Sequence, residues 1–262
     1  WGVFFAKGGT GQMVAALVRL FQELGGTVRL DCPVERIRTR GGRVVGLTAA
    51  DGWSGDFDAV ASNGDVVHTY RDLLRDEPQA RPKVSALLRK RYSMSLFVVY
   101  FGTKRRHPEL AHHDILFGPR YKELLHDIFE GPGLADDFSL YLHAPTLTDP
   151  SVAPDGCEAF YVLSPVPHLG NASIDWEVEG PRYRDRILGY LEERYVPNLR
   201  EDLVTTRILT PLDFQQVLNS HLGSAFSLEP ILTQSAFFRV HNRDDRIGGL
   251  YFAGAGTHPG AG

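Results

Sequence analysis

The stretch from Gly249 to Gly262, reading Gly-Leu-Tyr-Phe-Ala-Gly-Ala-Gly-Thr-His-Pro-Gly-Ala-Gly, limits what this chain can fold into more than any other. Leu250 to Ala253 predict a short buried strand. The glycines after it keep the backbone bare, so that another group can approach closely. A glycine-rich turn of this kind ordinarily leads into a helix whose free N–H groups face a phosphate. No sequence for that helix follows, so the chain is expected to be an excerpt of a longer protein, cut at its C-terminal end and at its N-terminal end too. A length of 262 residues, 43% of them hydrophobic and 23% charged, suits one large domain or two interleaved ones.

Charge and cysteine content exclude several classes. The formal net charge of -4 leaves no basic footprint for nucleic acid. Cys32 and Cys157 give neither a disulfide framework nor a thiolate metal spacing, which fits a reducing compartment. The longest apolar run, Leu96 to Phe101, falls far short of the ~20 residues that span a bilayer.

Along the chain, Gly8-Gly9-Thr10-Gly11 opens a helix whose Met13, Ala16, Leu17, Leu20, Phe21 and Leu24 form one apolar stripe, and Gly25-Gly26 stops it. Val28 and Leu30 alternate with polar neighbours as a strand would. Val34 to Thr39 and Arg43 to Ala49 predict a hairpin turning at Gly41-Gly42, and Phe57 to Ser62 a returning strand. Tyr70 to Arg91 reads as helical, broken at Pro78 and Pro82. Further strands are predicted over Ser93–Phe101, Ser139–His143, Glu158–Ser164 and Leu203–Leu209. Further helices are predicted over Pro119–Phe129, over Arg182–Tyr195, and from Pro211 through Phe214, Val217 and Leu218. The expected fold class is α/β of mixed α+β character.

Three groups of residues carry a family likeness. They are Leu228-Glu229-Pro230-Ile231-Leu232-Thr233-Gln234-Ser235-Ala236, then His241-Asn242-Arg243-Asp244, then Tyr251 to Gly262. With Phe117 to Tyr121, Phe138 to Pro145 and Pro165 to Gly170, they resemble the C-terminal part of bacterial phytoene desaturases, FAD-dependent carotenoid desaturases of the flavin amine-oxidase superfamily. The resemblance runs over nearly the whole chain. It implies a partial FAD-binding, Rossmann-like layer in residues 1–68 and 241–262, with an inserted substrate and membrane-facing domain of mixed or antiparallel sheet and helices in residues 69–240. It further implies FAD as cofactor, the apolar polyene phytoene as substrate, lycopene or a related carotenoid as product, and oxygen or a quinone as electron acceptor. The location implied is cytoplasmic, with peripheral, monotopic membrane contact. The family's G-x-G-x-x-G fingerprint is not in this sequence, and Gly8-Gly9-Thr10-Gly11 does not replace it, since no adequate strand precedes it. The isolated chain is therefore expected to be inactive and not to hold FAD tightly. Two other readings remain: another flavin oxidoreductase or carotenoid isomerase of the superfamily, or a non-catalytic lipid-binding module.

Gly254, Ala255, Gly256, Thr257, His258, Pro259 and Gly260 are the candidate flavin contacts, against the plainer reading of a strand–turn–helix corner. Backbone N–H groups there can donate to a diphosphate or to the ring carbonyls, where a Cβ would block the approach. The resemblance implies that Val34 passes the adenine; otherwise it is an edge-strand valine packed in a sheet. Ser62-Asn63-Gly64-Asp65 is equally a polar turn or a neighbour of the cofactor. Glu229, Arg239, His241 and Arg243 are catalytic candidates or interdomain ion pairs, and the sequence selects none as the catalytic group. His107, His112 and His113 lie beside Lys104-Arg105-Arg106 on an expected loop. A metal wants ligands on a fixed face with a satisfied outer shell, so this stretch reads as solvated and no metal is expected. Tyr121, Leu124, Leu125, Ile128 and Phe129 form a stripe that suits either core packing or a bilayer interface.

Overall fold

A computed structural model describes residues 4–260. Ala261 and Gly262, the end of the glycine motif, lie outside the described residues, as do Trp1 to Val3. The fold is mixed α/β, with three separate sheets.

Helix α1 (Thr10–Glu23) is followed by β1 (Val34–Arg40), β2 (Arg43–Ala49) and β3 (Ser54–Asp56), an antiparallel meander. Gly41 and Gly42 turn β1 into β2 with φ of 58° and 73°, the left-handed pair a two-residue hairpin needs. Strand β4 (Val60–Ser62) leads into α2 (Val66–His68), a π-helical turn (Thr69–Leu73) and α3 (Ala80–Leu87). Pro82 lies in the first turn of α3, where an N–H has no intrahelical partner, so it does not break the helix. The chain then enters a five-stranded antiparallel sheet ordered β6-β7-β8-β5-β9. Its strands are β5 (Ser95–Thr103), β6 (His113–Leu116), β7 (Leu140–His143), β8 (Glu158–Val166) and β9 (Leu203–Leu209). Between and after these strands come α4 (Tyr121–Glu130), α5 (Trp176–Arg194), α6 (Leu199–Asp202) and α7 (Pro211–Leu218). Strand β10 (Leu250–Phe252) returns to pair parallel with β4.

Two cores result. One joins Ile37 and Val44 to Val66, Val67, Tyr70, Leu74, Leu87 and Tyr92, and to Leu228, Ile247, Leu250 and Phe252. The other packs Phe97, Val99 and Phe101 of β5 and Phe160 and Val162 of β8 against Trp176, Tyr183, Ile187 and Leu191 of α5. Alternate residues of β8 are buried, the period-2 signature of a strand with one face on a core.

Four further expectations are corrected. Val28 to Leu30 form no strand, because nothing pairs with them. The strand expected over Phe57–Ser62 shrinks to β4, where β10 supplies the partner. Of the histidines expected on a loop, His107 and His112 lie on one, but His113 opens β6, which forms by pairing with β7. Helix α5 starts at Trp176, six residues early and with Pro181 inside, because Asp175 caps its first turn and Trp176 stacks on Phe97 at 5.7 Å. Besides these, the stripe of α1 is not packed, with none of its residues buried and Leu17 61% exposed.

Candidate functional site

Strands β4 and β10 run side by side with Val60, Ala61 and Ser62 opposite Leu250, Tyr251 and Phe252, so both end at the same level. Ala253 N–H donates to the Ser62 carbonyl at 3.0 Å, and the Asn63 amide donates to the Ala253 carbonyl at 3.1 Å. The Ser62–Asp65 turn and the glycine turn thus lie together. Asp65 caps α2 by accepting from the N–H groups of Val67 and His68. Gly254 takes φ 111°, and a Cβ there would lie 2.8 Å from the Asn63 side chain, so only glycine suits this junction.

Thr257 closes the turn. Its N–H and hydroxyl both donate to the Gly254 carbonyl, at 3.1 and 2.8 Å. His258 N–H donates to the Val240 carbonyl at 2.8 Å. Among the described residues, the N–H groups of Gly254, Ala255 and Gly256 meet no acceptor. A Cβ on Gly256 would lie 3.0 Å from both Ser227 Oγ and Val66 Cγ1. Ser227 Oγ is buried and has no hydrogen-bond partner among the described residues. His258 and Pro259 are exposed, and Gly260 lies against Arg239.

Two buried polar side chains support this turn from beneath. Arg239 donates to the carbonyls of Ala255 (2.9 Å), Phe226 (2.9 Å) and Leu228 (3.0 Å), and burial holds its guanidinium below its ordinary value. Asp244 accepts from the Tyr70 hydroxyl at 2.6 Å, from Arg246 N–H at 2.7 Å and from Ile247 N–H at 2.6 Å, locking the approach to β10. Burial, then that hydrogen bond, pushes the Tyr70 phenol far above its ordinary value. Of the other candidates, Glu229 pairs with Arg91 at 2.5 Å and His241 packs edge-on to Phe237. A cleft of about 360 Å³ runs past Tyr70, Lys83, Phe238, His241 and Arg243.

Val34 is elsewhere. It opens β1 opposite Ala49, in a different sheet from β4 and β10, and no hydrogen bond among the described residues joins it to the glycine turn. Among the described residues the outer edge of β1 has no strand partner, and Arg75 donates there to the Glu35 carbonyl at 3.1 Å. The sequence reading missed Ser227 and the Tyr70–Asp244 bond, which joins residues 174 positions apart and leaves no local pattern. It also missed His143. The ring of His143 lies across the strand pair from His113 and 2.9 Å, Nε2 to Nε2, from His112. Burial and the two neighbouring rings push His143 down to about 4, and burial lowers His112 as well.

Comparison with known proteins places these features in a lineage. A family model described as flavin containing amine oxidoreductase matches residues 2–261. The lycopene-forming phytoene desaturase of Pseudescherichia vulneris is 60% identical over 262 residues, covering all of this chain and 53% of that protein. The lycopene-forming enzyme of a Paracoccus species is 61% identical over 261 residues, covering 52% of its own length. The neurosporene-forming enzyme of Rhodobacter capsulatus is 44% identical over 267 residues. The chain spans about half the length of the curated relatives it matches. Among solved structures, an oxidoreductase from Methanosarcina mazei aligns over 96% of this chain and 50% of its own, with a TM-score of 0.61 and 17% identity. A putrescine oxidase variant aligns over 94% and 47%, with a TM-score of 0.56 and 13% identity. At such identities the structural likeness concerns the fold alone.

Proposed function

The chain belongs to the flavin-containing amine oxidoreductase family, and from that premise we propose that it acts in the FAD-dependent desaturation of phytoene to lycopene or a related carotenoid. The observation that carries this reading is the identity of 60% and 61% with lycopene-forming desaturases along the whole chain. When bound, FAD would supply the oxidant for each new double bond, which forms as one carbon gives up a hydride to it and the adjacent carbon a proton to solvent, with oxygen or a quinone as the final electron acceptor.

The residues around the glycine turn suit such a nucleotide. Three free N–H groups, on Gly254, Ala255 and Gly256, lie at the carboxyl ends of two parallel strands, where open α/β sheets bind ligands. The orphaned Ser227 hydroxyl lies beside Gly256 with no side chain between them. In this reading the N–H groups and Ser227 hold the flavin's polar atoms, while Thr257 and Arg239 keep the turn in shape. His258, Pro259 and Gly260 border the same contact. Val34 contributes the open edge of β1 to the adenine end. In this reading residues 1–68 and 241–262 form the FAD-binding, Rossmann-like part and residues 69–240 the substrate part, whose first helices set Tyr70, Leu74, Leu87 and Tyr92 in the same core as Ile37, Leu250 and Phe252.

The polyene side of the proposal rests on the sheet face opposite α5. Leu96, Tyr100, Tyr161, Leu163 and Leu209 share that face by register. A cleft of about 400 Å³ lies there between Tyr100, Leu209, Phe214, Val217 and Leu218, with the charged Arg207 and Asp213 also lining it. A substrate that is all hydrocarbon offers no heteroatom to protonate, so the protein's task is to orient it and exclude water. Membrane contact is proposed through Phe117, Tyr121 and Leu125, exposed beside Arg120 and Lys122, whereas Leu124 and Ile128 face the core. The contact proposed is peripheral, from the cytoplasmic side; among the described residues no helix is long and apolar enough to cross a membrane.

The test is phytoene in liposomes incubated with FAD and the intact protein. Coloured carotenoid should form only when FAD is present. Unchanged phytoene in the presence of stoichiometrically bound flavin would overturn the substrate assignment. Gly256→Val should weaken FAD retention by about tenfold or more, equivalent to ~1.4 kcal/mol, with an unchanged circular dichroism spectrum.

A further inference from the structure

We propose that His112, His113 and His143 form a binding site for a late first-row divalent cation, zinc in particular, independent of the flavin reading. The register of β6 on β7 sets His113 directly opposite His143, and their rings stack at 5.2 Å with 13° between planes. His112, one residue before β6, brings its ring to 4.7 Å from that of His143. One nitrogen from each imidazole lies within 4.8 Å of the other two. The strand pair supplies the fixed face that a loop would lack.

Two of the three rings have an outer partner, while Nδ1 of His143 is buried with no hydrogen-bond partner among the described residues. His113 Nδ1 meets the Tyr141 hydroxyl at 2.6 Å, and His112 Nδ1 meets the Thr148 hydroxyl. An Nδ1–H held by an oxygen leaves the lone pair on Nε2, the arrangement that metal-bound histidines adopt. His112 Nε2 and His143 Nε2 face each other at 2.9 Å. Tetrahedral zinc with bonds of about 2.0–2.1 Å separates its ligand nitrogens by roughly 3.4 Å, so a small side-chain adjustment admits the ion between them. Phe5 packs edge-on to His112 and His143, at 4.8 and 6.0 Å, and screens the site on one side.

The donor set names the class of ion. Three neutral imidazoles suit zinc, nickel or copper, whereas magnesium and calcium require oxygen ligands. The neighbouring carboxylate, Asp114, is turned to the opposite face of β6 and accepts from Ala111 N–H at 3.1 Å. Three protein ligands leave a fourth position open to water or an anion. The bound ion would fasten the edge strand β6 to β7 and to the segment carrying Thr148.

Equilibrium dialysis of the chelator-stripped intact protein against zinc chloride tests this. One ion per chain should bind, and cobalt chloride should give the intense visible bands of tetrahedral coordination. His113→Gln changes an exposed side chain, which spares the fold, and should weaken zinc at least about tenfold. Tyr141→Phe should weaken it about 10- to 100-fold, as loss of an outer-shell partner does. His126→Gln, on α4, should bind as the wild type does. No saturable zinc binding, or binding that His113→Gln leaves intact, would overturn the proposal.

Discussion

Arg239 is 3% exposed and lies in no ion pair with a carboxylate among the described residues. Its charge is spread over main-chain carbonyls, the buried one of Leu228 and the partly buried ones of Ala255 and Phe226. A buried acceptor that loses its donor costs ~1–3 kcal/mol. Arg239→Met should therefore lower the unfolding free energy by about 1–3 kcal/mol. Arg239→Lys should recover only part of this, since an ammonium cannot reproduce the planar fork. A denaturant midpoint equal to wild type in Arg239→Met would remove this residue from the account of the turn. Besides His112 and His143, two further histidines give a pH dependence. Burial lowers both His168 and His221 below their ordinary value, and the neighbouring His221 lowers His168 further. Between the ordinary value of about 6.5 and the lowered ones, the unfolded chain binds protons that the folded chain does not. Their contribution to stability is thus complete above about pH 6.5 and falls as the pH drops through that window. Asp65 and Asp72 oppose the shift at His221, and Arg71 adds to it. Denaturant midpoints measured either side of the window should fall on the acid side, and His221→Gln should flatten that slope.

At the scale of elements, long-range pairing decides which sequence signals become structure. The apolar alternation of Leu203 to Leu209 is realised over its full predicted length because β5 lies beside it. Val28 to Leu30 carry a similar alternation and remain irregular because no strand is adjacent. Helix α5 owes its early start to a cap that the pattern of apolar residues does not contain. Asp175 accepts from Glu177 and Val178 N–H at 3.1 and 3.3 Å. Asp175→Ala should cost about 1 kcal/mol, read as a lower melting temperature with no change in the sheet. Gly180 on the same helix would bring a Cβ to 3.2 Å from Ile208, so Gly180→Val should separate α5 from the sheet and cost about 1–3 kcal/mol by overpacking.

Across the whole molecule, apolar surface is distributed unevenly. The five-stranded sheet is packed on its α5 face, whereas α1 turns Met13, Leu17, Leu20 and Leu24 to solvent. An apolar face of this kind should bind an environment-sensitive dye. Leu17→Lys with Leu20→Lys should cut that signal and leave the unfolding midpoint unchanged, because these side chains meet water in both states. An equal loss of stability would show instead that α1 is packed in solution. The sequence by itself determined the family, the order of most helices and strands, the Gly41-Gly42 hairpin and the glycine turn after β10. Those features are local, written in periodicity, in turn chemistry or in contiguous motifs. Tertiary structure alone decided that β10 lies against β4, 190 residues away along the chain at the Asn63–Ala253 contact, that Arg239 supports the turn from below, and that His143 joins His112 and His113. Hydrogen bonds and side-chain convergence between distant segments depend on register and burial, and these are set only when the two cores close.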